Sequence, residues 1–329
     1  MKLTLKNILG AALLLLTATA CTNSGSKKGG TIVRSTSPNV GVMACDASFQ
    51  NIMQQEIDIF EYTTPGYSIL PFYIDEAACV DSLMNGRANV AVISRPLNST
   101  ETKALKTKGR APHTTRIAVD AVALIVNKDN PMNEITMSEL KDILDGKFKT
   151  WRDIQPSPLG EIRVVFDHQS SSTVRFMKDS LLDGRDLGAD VYAQGSNPAV
   201  FETVKNNKNA LGVIGVSWIA TNMSGADMTA EERAKNLDNE DITDMGFSSD
   251  IKVLRVRRDD SLDSYQPYQA YILDGKYPLH RSMYMVNTGL QGTAAKSFYV
   301  FVTGWRGQKV ILTTGVLPST VTPRVVELN

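Results

Sequence analysis

The residues best equipped for chemistry stand together. Asp167, His168, Ser170, Ser171, Ser172, Thr173 and Arg175 fall within nine consecutive positions. They follow a short apolar run, Ile162 to Phe166, and lead into Val174, Met177 and Leu181 at helical spacing. Strand, hydroxyl-rich turn and helix together can hold an anion. The first amides of a helix have no partner within it, and the helix dipole is positive there. Serine and threonine hydroxyls add donors without adding charge, so the pattern suits a phosphate-like or carboxylate group. The same residues also make an ordinary serine N-cap, and the segment alone does not decide between the two.

Catalytic readings are weaker. The chain has three histidines, His113, His168 and His280. His168 beside Asp167 and the serines outlines a Ser-His-Asp set, but neighbours on one turn rarely orient one another as a triad requires. No G-x-S-x-G elbow is present. Asp167 and His168 have no third residue spaced to complete a metal site. We therefore expect no catalytic residue, no metal and no cofactor.

The N-terminus indicates the compartment. Met1, Lys2 and Lys6 are followed by an apolar run from Ile8 to Leu16 and then Ala18-Thr19-Ala20-Cys21. This reads as a signal peptide over 1–21, too short in its apolar part to be a stable membrane span. Small residues before Cys21 are the lipoprotein pattern, with Cys21 acylated and holding the protein at a membrane surface. Residues 22–30, TNSGSKKGG, then form a flexible tether. Removing Lys2 and Lys6 from 35 basic residues leaves 33 against 35 acidic ones, about −2 net, which gives nucleic-acid binding no electrostatic footprint. Of the remaining cysteines, Cys45 and Cys79 can pair in an oxidising compartment or stay as buried thiols; no bridge is the expectation.

Beyond the tether, apolar patterns alternate between strand and helix. Expected strands are Thr31–Ser35, Tyr67–Tyr73, Ala88–Ser94, Arg116–Asn127 (long for one strand), Ile162–Phe166, Leu211–Trp218, Ile251–Val256 and Lys276–Val286. Expected helices are Ser48–Tyr62, Glu76–Asn85, one capped by Asn98 and Glu101, one by Thr136 and Glu139, the serine helix, one opened by Asn197-Pro198, and two near the C-terminus. Thr221–Asp250 reads as a polar surface excursion, and Trp151, Trp218 and Trp305 as core. The pattern is α/β, with mostly parallel sheets expected.

Further residues carry a resemblance. Lys276-Tyr277-Pro278-Leu279, then Arg281 and Tyr284, then Gly307-Gln308 and Gly315-Val316-Leu317-Pro318 keep an order that resembles the PstS-like periplasmic phosphate-binding proteins of ABC transporters. Leu144-Asp145-Gly146-Lys147 with Trp151-Arg152-Asp153-Ile154 is a second match, and Asp46-Ala47-Ser48-Phe49 and the run from Tyr265 to Tyr271 resemble the variety found in Bacteroidetes-type lipoproteins. The resemblance covers Thr31 to the C-terminus. It implies a type II periplasmic-binding-protein fold with two α/β lobes about a ligand cleft: residues 31–118 with 265–329, and residues 119–264.

It also implies contacts. Ala47, Ser48 and Phe49 match the first ligand loop, and Ser171, Ser172 and Thr173, with Ser170 before them, match the Ser-Gly-Thr loop, Ser172 replacing glycine. The family's acidic contact after a strand is here Arg95, following Ser94, and its arginine is here Asp167. The charges are thus exchanged between lobes, unless both residues are unrelated ion-pair partners. The family's second loop aligns with Ile74-Asp75-Glu76-Ala77, where Asp75 is expected to cap the next helix and point away from an anion. The expected function is capture of phosphate or a similar oxyanion and delivery to an ABC permease by a monomer, lipid-anchored at Cys21 in the periplasm. The alternatives are a binder of another small anion or organic solute, and a scaffold or sensor lipoprotein that binds a partner protein.

Overall fold

Residues 35–188, 190–220, 228–237 and 246–320 are described by a computed structural model. The first part of the chain gives β1 (Val40–Asp46), α1 (Gln50–Thr63), β2 (Ser68–Ile74), α2 (Glu76–Met84), β3 (Val90–Ile93), α3 (Ser99–Thr107) and β4 (His113–Asn127). Next come β5 (Glu134–Thr136), α4 (Met137–Leu144), β6 (Arg163–Phe166), α5 (Ser172–Leu181), β7 (Val191–Ala193), α6 (Asn197–Asn206) and β8 (Ala210–Gly215). After α7 (Ala230–Asn236) the chain returns through β9 (Ile251–Val253), β10 (Arg255–Arg257), β11 (Ser264–Tyr265), α8 (Gln269–Leu273) and β12 (His280–Asn287). It then adds α9 (Ala294–Thr303), α10 (Trp305–Thr313) and β13 (Leu317–Pro318). The signal peptide, the tether, Cys21 and most of the expected Thr31–Ser35 strand lie outside the described residues. The polar excursion contains α7, opened by a capping box between Thr229 and Glu232.

The architecture is α/β. Strand order along the main sheet is β2-β1-β3-β12-β4-β8-β6-β7, with β9 and β13 also on β4. β4 is one strand of 15 residues. His113 to Ala121 pair with β12, and Ala118 and Val119 also with β13; Val122 to Asn127 pair with β8 and β9. The strand that looked too long in sequence therefore serves two sheets in turn. The expectation of mostly parallel pairing is corrected. β1 with β2 and β3, and β6 with β7 and β8, are parallel, but every partner of β4 is antiparallel.

The change of partners on β4 is held by the late motif. Tyr277 is fully buried and its hydroxyl donates to the Val122 carbonyl at 2.8 Å, while the Val122 amide donates to the Leu279 carbonyl at 2.8 Å. Gln308, also buried, donates to the carbonyls of Ile117 and Val302. A Cβ on Gly307 would stand 2.5 Å from the Phe301 carbonyl oxygen, so the corner between α9 and α10 admits only glycine there. The core beneath these elements includes Met43, Phe49, Phe60, Trp151, Phe166 and Phe298. Trp305 departs from expectation: it is 58% exposed, with Lys309 over its ring. The α6 cap is Ser196 rather than Asn197, because the Ser196 hydroxyl accepts the Ala199 amide and Asn197 is already helical. Cys45 and Cys79 are buried free thiols.

Candidate functional site

Strands β1 and β3 of one sheet and β6 and β8 of the other end toward a common region, as ligand sites of open α/β sheets do. After β1, Asp46 caps a short 3-10 turn, Ala47–Phe49. Its carboxylate accepts the Ser48 amide at 2.9 Å and the Ser48 hydroxyl at 2.5 Å. After β6, Ser171 caps α5 by accepting the Val174 amide at 3.2 Å, and Ser172 and Thr173 follow as buried first-turn residues. The two hydroxyl loops meet: Ser48 Oγ and Ser172 Oγ are 2.9 Å apart, although 124 residues separate them. Both readings of the serine turn hold at once, since Ser171 is the cap and Ser172 faces the opposite sheet.

The cation at this junction is Arg281. It sits on β12 directly opposite Asp120 on β4, its Nε donates to Asp120 Oδ2 at 3.1 Å, and its Nη1 donates to Ser172 Oγ at 2.8 Å. Its guanidinium also lies 4.8 Å over the ring of Phe49. Arg281 Nη2 lies 3.1 Å from Asp120 Oδ2, but without the alignment of a hydrogen bond. Thr173 Oγ1, Ser217 Oγ, Asp46 Oδ2 and Asp120 Oδ1 are likewise buried without a partner. Gly215 leaves room here, since a Cβ would stand 3.4 Å from Asp120 Oδ2. Burial pushes the Asp46 and Asp120 carboxyls above the usual carboxylate range, and Arg281 offsets that in part for each.

A second group lies nearer solvent. Arg175 on α5 reaches across to Glu76 at the start of α2, with contacts of 2.5 and 3.0 Å, and to Ser94 Oγ at 2.7 Å. Glu76 also accepts the Ser94 amide and hydroxyl. Burial raises the Glu76 carboxyl, but its bonds to Arg175 and Ser94 outweigh this and leave it below its ordinary range. Arg95 is in this group: it forms a two-pronged pair with Glu101 at 2.9 and 2.8 Å and lies 3.3 Å from Glu76. Ser170 Oγ donates to Asp75 Oδ2 at 2.7 Å. Asp75 stands at the cap position of α2, yet its side chain makes no capping bond. The expected cap is thereby corrected, because Ser170 takes its carboxylate.

Of the residues picked from sequence, Ser48, Phe49 and Ser172 are brought together around Arg281, with Ala47 in the turn beside them and Thr173 on the same helical turn. Ser94, Arg95 and Ser170 belong to the outer group. Asp167 is buried at the end of β6, 3.4 Å from Asn197 Nδ2 and 4.0 Å from His168 Nδ1; no hydrogen bond joins it to Ser48, Ser172 or Arg281. Arg281 was visible in sequence only as part of a motif. Its pairing with Asp120, 161 positions away, has no local signal. Among the described residues no cluster of His, Cys, Asp and Glu is arranged to hold a metal, and no helix is long and apolar enough to cross a membrane.

Two sheets joined through a shared strand, with hydroxyl loops meeting between them, are the periplasmic-binding-protein fold. The family model described as "PBP superfamily domain" matches residues 33–304, and the chain belongs to that family. It is 28% identical over 224 residues to the phosphate-binding protein PstS of Staphylococcus saprophyticus, 68% of this chain and 61% of that one. With PstS of Staphylococcus epidermidis it shares 36% over 139 residues, 42% of each chain. The chain thus spans less than two thirds of these relatives' length. The structure resembles a protein of Clostridium perfringens solved with bound phosphate (TM-score 0.66, 20% identity, 86% of this chain and 100% of that). It also resembles an ABC-type phosphate transport receptor of Vibrio cholerae (TM-score 0.59, 19% identity, 84% and 98%). At these identities the two structures establish the fold.

Proposed function

We propose that this protein is an extracytoplasmic solute-binding lipoprotein, anchored through Cys21, that captures phosphate or a similar oxyanion between two lobes and delivers it to an ABC permease. The observation that carries the reading is the meeting of Ser48, Ser172 and Arg281 at the junction of the sheets, with Thr173 and Ser217 offering unpartnered hydroxyls beside them. The lobes are residues 31–118 with 265–329, and 119–264; the change of partners on β4 between Ala121 and Val122 supports a division near there. Arg281, rather than Arg95, supplies the cation. Its fork suits two oxygens of one anion, and the first amides of α5 and of the turn after Asp46 add donors. Ala47, Phe49, Ser171 and Thr173 shape the pocket, while Ser94, Arg95, Asp167 and Ser170 surround it. No bond is made or broken in the ligand; binding energy favours the closed arrangement of the lobes. The relatives named for phosphate binding support the ligand class.

Titration calorimetry with phosphate, sulfate and an organic acid tests the reading. Heat with phosphate is expected. Heat only with the organic acid favours a different solute, a reading to which the buried Asp46 and Asp120 lend some support. No rise in melting temperature with any of the three favours a partner-binding scaffold, since a ligand that binds only the folded state must stabilise it. Cys21→Ser is expected to move the protein from the membrane fraction to the soluble one.

A further inference from the structure

Unpartnered oxygens continue beyond the junction, along the carboxyl edge of the second sheet. There β8, β6 and β7 lie side by side in that order and run parallel. Ser217 lies in the turn after β8, Asp167 follows β6, Thr173 is in the first turn of α5, and Asn197 opens α6 after β7. None is more than 4% exposed, and Ser217 Oγ, Asp167 Oδ1, Thr173 Oγ1 and Asn197 Oδ1 have no partner. The series begins beside the first anion loop. The Ser217 carbonyl accepts from Asn51 Nδ2 at 2.8 Å, and Trp218, next in the chain, donates to the Ser48 carbonyl. Neighbouring strands stand about 4.8 Å apart, so Asp167 and Asn197 lie roughly 5 and 10 Å along the edge from Ser217.

Two of these atoms are acceptors only. Asn197 turns its Nδ2 toward Asp167 Oδ2, at 3.4 Å, which fixes its own oxygen as the unpartnered atom. The hydroxyls of Ser217 and Thr173 serve either sense, but a carboxylate or amide oxygen needs a donor, and its absence is costly at this burial. Among the described residues no cation of the protein supplies one. Arg281 is paired with Asp120, Arg95 with Glu101, and Arg175 with Glu76 while also acting on Asp46. His168 Nδ1 is 4.0 Å from Asp167 Oδ2 and makes no ion pair with Oδ1. An ammonium meets the need, with three donors and a positive charge beside a carboxylate.

From this we infer that the ligand is an organic oxyanion carrying an amine. Its phosphate or phosphonate end sits on Ser48, Ser172 and Arg281, and its ammonium donates to Asp167 Oδ1 and Asn197 Oδ1, one to two strands along the edge. The inference rests on the oxyanion reading and adds to it the class of molecule that bears the oxyanion.

The test is calorimetry on the intact protein with two matched pairs of ligands: aminoethylphosphonate against ethylphosphonate, and aminopropylphosphonate against propylphosphonate. The amine-bearing member of at least one pair is expected to bind more tightly by about tenfold or more, the worth of one hydrogen bond to a charged group. In Asp167→Asn that ratio is expected to fall toward one, and in Asn197→Asp to rise. Equal or tighter binding of the amine-free phosphonates would overturn the inference and leave the oxyanion reading intact. No binding of any of the four, nor of inorganic phosphate, would overturn both. An unchanged ratio in a folded Asp167→Asn variant would also overturn it. Should that variant fail to fold, the wild-type ratios and Asn197→Asp decide.

Discussion

Two of the arginines between the sheets stand in opposite circumstances. Arg281 is 3% exposed, rests on Phe49 and has neighbours with unused hydrogen-bonding atoms. Arg175 is 41% exposed and sits in a group where Glu76, Ser94 and Arg95 satisfy one another. The inner group is costly to bury and incomplete by itself, as a ligand site has to be. The outer group is complete without any ligand and joins α2 to α5 across the cleft. A charged residue near a cleft therefore says little about binding until its partners are counted; the sequence pointed to Arg95 as the cation, and its partners Glu101 and Glu76 set it apart from Arg281.

The contrast can be broken by mutation. The largest effect is expected from Arg281→Ala, which leaves Asp120 buried without its counter-ion. Stability measured in urea should drop by about 3–5 kcal/mol, and anion affinity by a hundredfold or more, on the order expected for a lost buried charge pair. Arg281→Lys should recover part of the stability but less of the affinity, because a point charge cannot replace the fork. Next is Ser172→Ala, which removes the hydroxyl shared by Ser48 and Arg281. A loss of roughly 1–3 kcal/mol in binding is expected by calorimetry. Arg175→Ala should change affinity by less than either, through a faster release rate in stopped-flow, by roughly 0–1 kcal/mol and less at high salt. An Arg175→Ala loss that matches that of Arg281→Ala would erase the distinction between the groups.

Acid and base should also separate them. Glu76 has its folded pKa lowered, so it contributes stability above its unfolded value, and that stability is lost as pH falls through the folded one. Glu76→Gln should remove an acid-side drop in melting temperature. Asp46 and Asp120 have folded pKa values raised by burial, so their cost is absent below the unfolded value and grows as pH rises toward the folded one. Asp46→Asn should flatten the decline above the unfolded value. Equal pH profiles for the two variants would contradict the assignment of opposite shifts.

Much of the scaffold was legible because its signals are local. The capping boxes at Asn98 with Glu101 and at Thr136 with Glu139 formed as their spacing required. Ser171 became a cap, and Pro71 lies on the edge strand β2. β1 was missed, since Val40–Asp46 runs into a turn that the apolar pattern of α1 dominates. The antiparallel pairing of β4 was missed for a different reason, because strand direction in a sheet depends on connections that no short window contains. In the site, Ser172 was legible because it stands at a helix start, and Ser48 and Phe49 through the family resemblance alone. Arg281 was not, since its meaning comes from standing opposite Asp120 in a register fixed by the whole β12–β4 ladder. Asp75 failed as a simple cap because Ser170, in the turn before α5, claimed its carboxylate.

The three tryptophans turn the molecule into its own optical gauge. Trp151 is sealed in the interior and Trp305 stands at the surface. Trp218, from the turn after β8, donates its indole N–H to the Ser48 carbonyl at 2.9 Å, across the junction of the two sheets. Parting the sheets breaks that bond and wets one indole of three while the other two keep their surroundings. A change in intrinsic emission on adding a ligand should therefore trace to this one residue and vanish in Trp218→Phe, so the opening and closing of the cleft can be timed without attaching a dye.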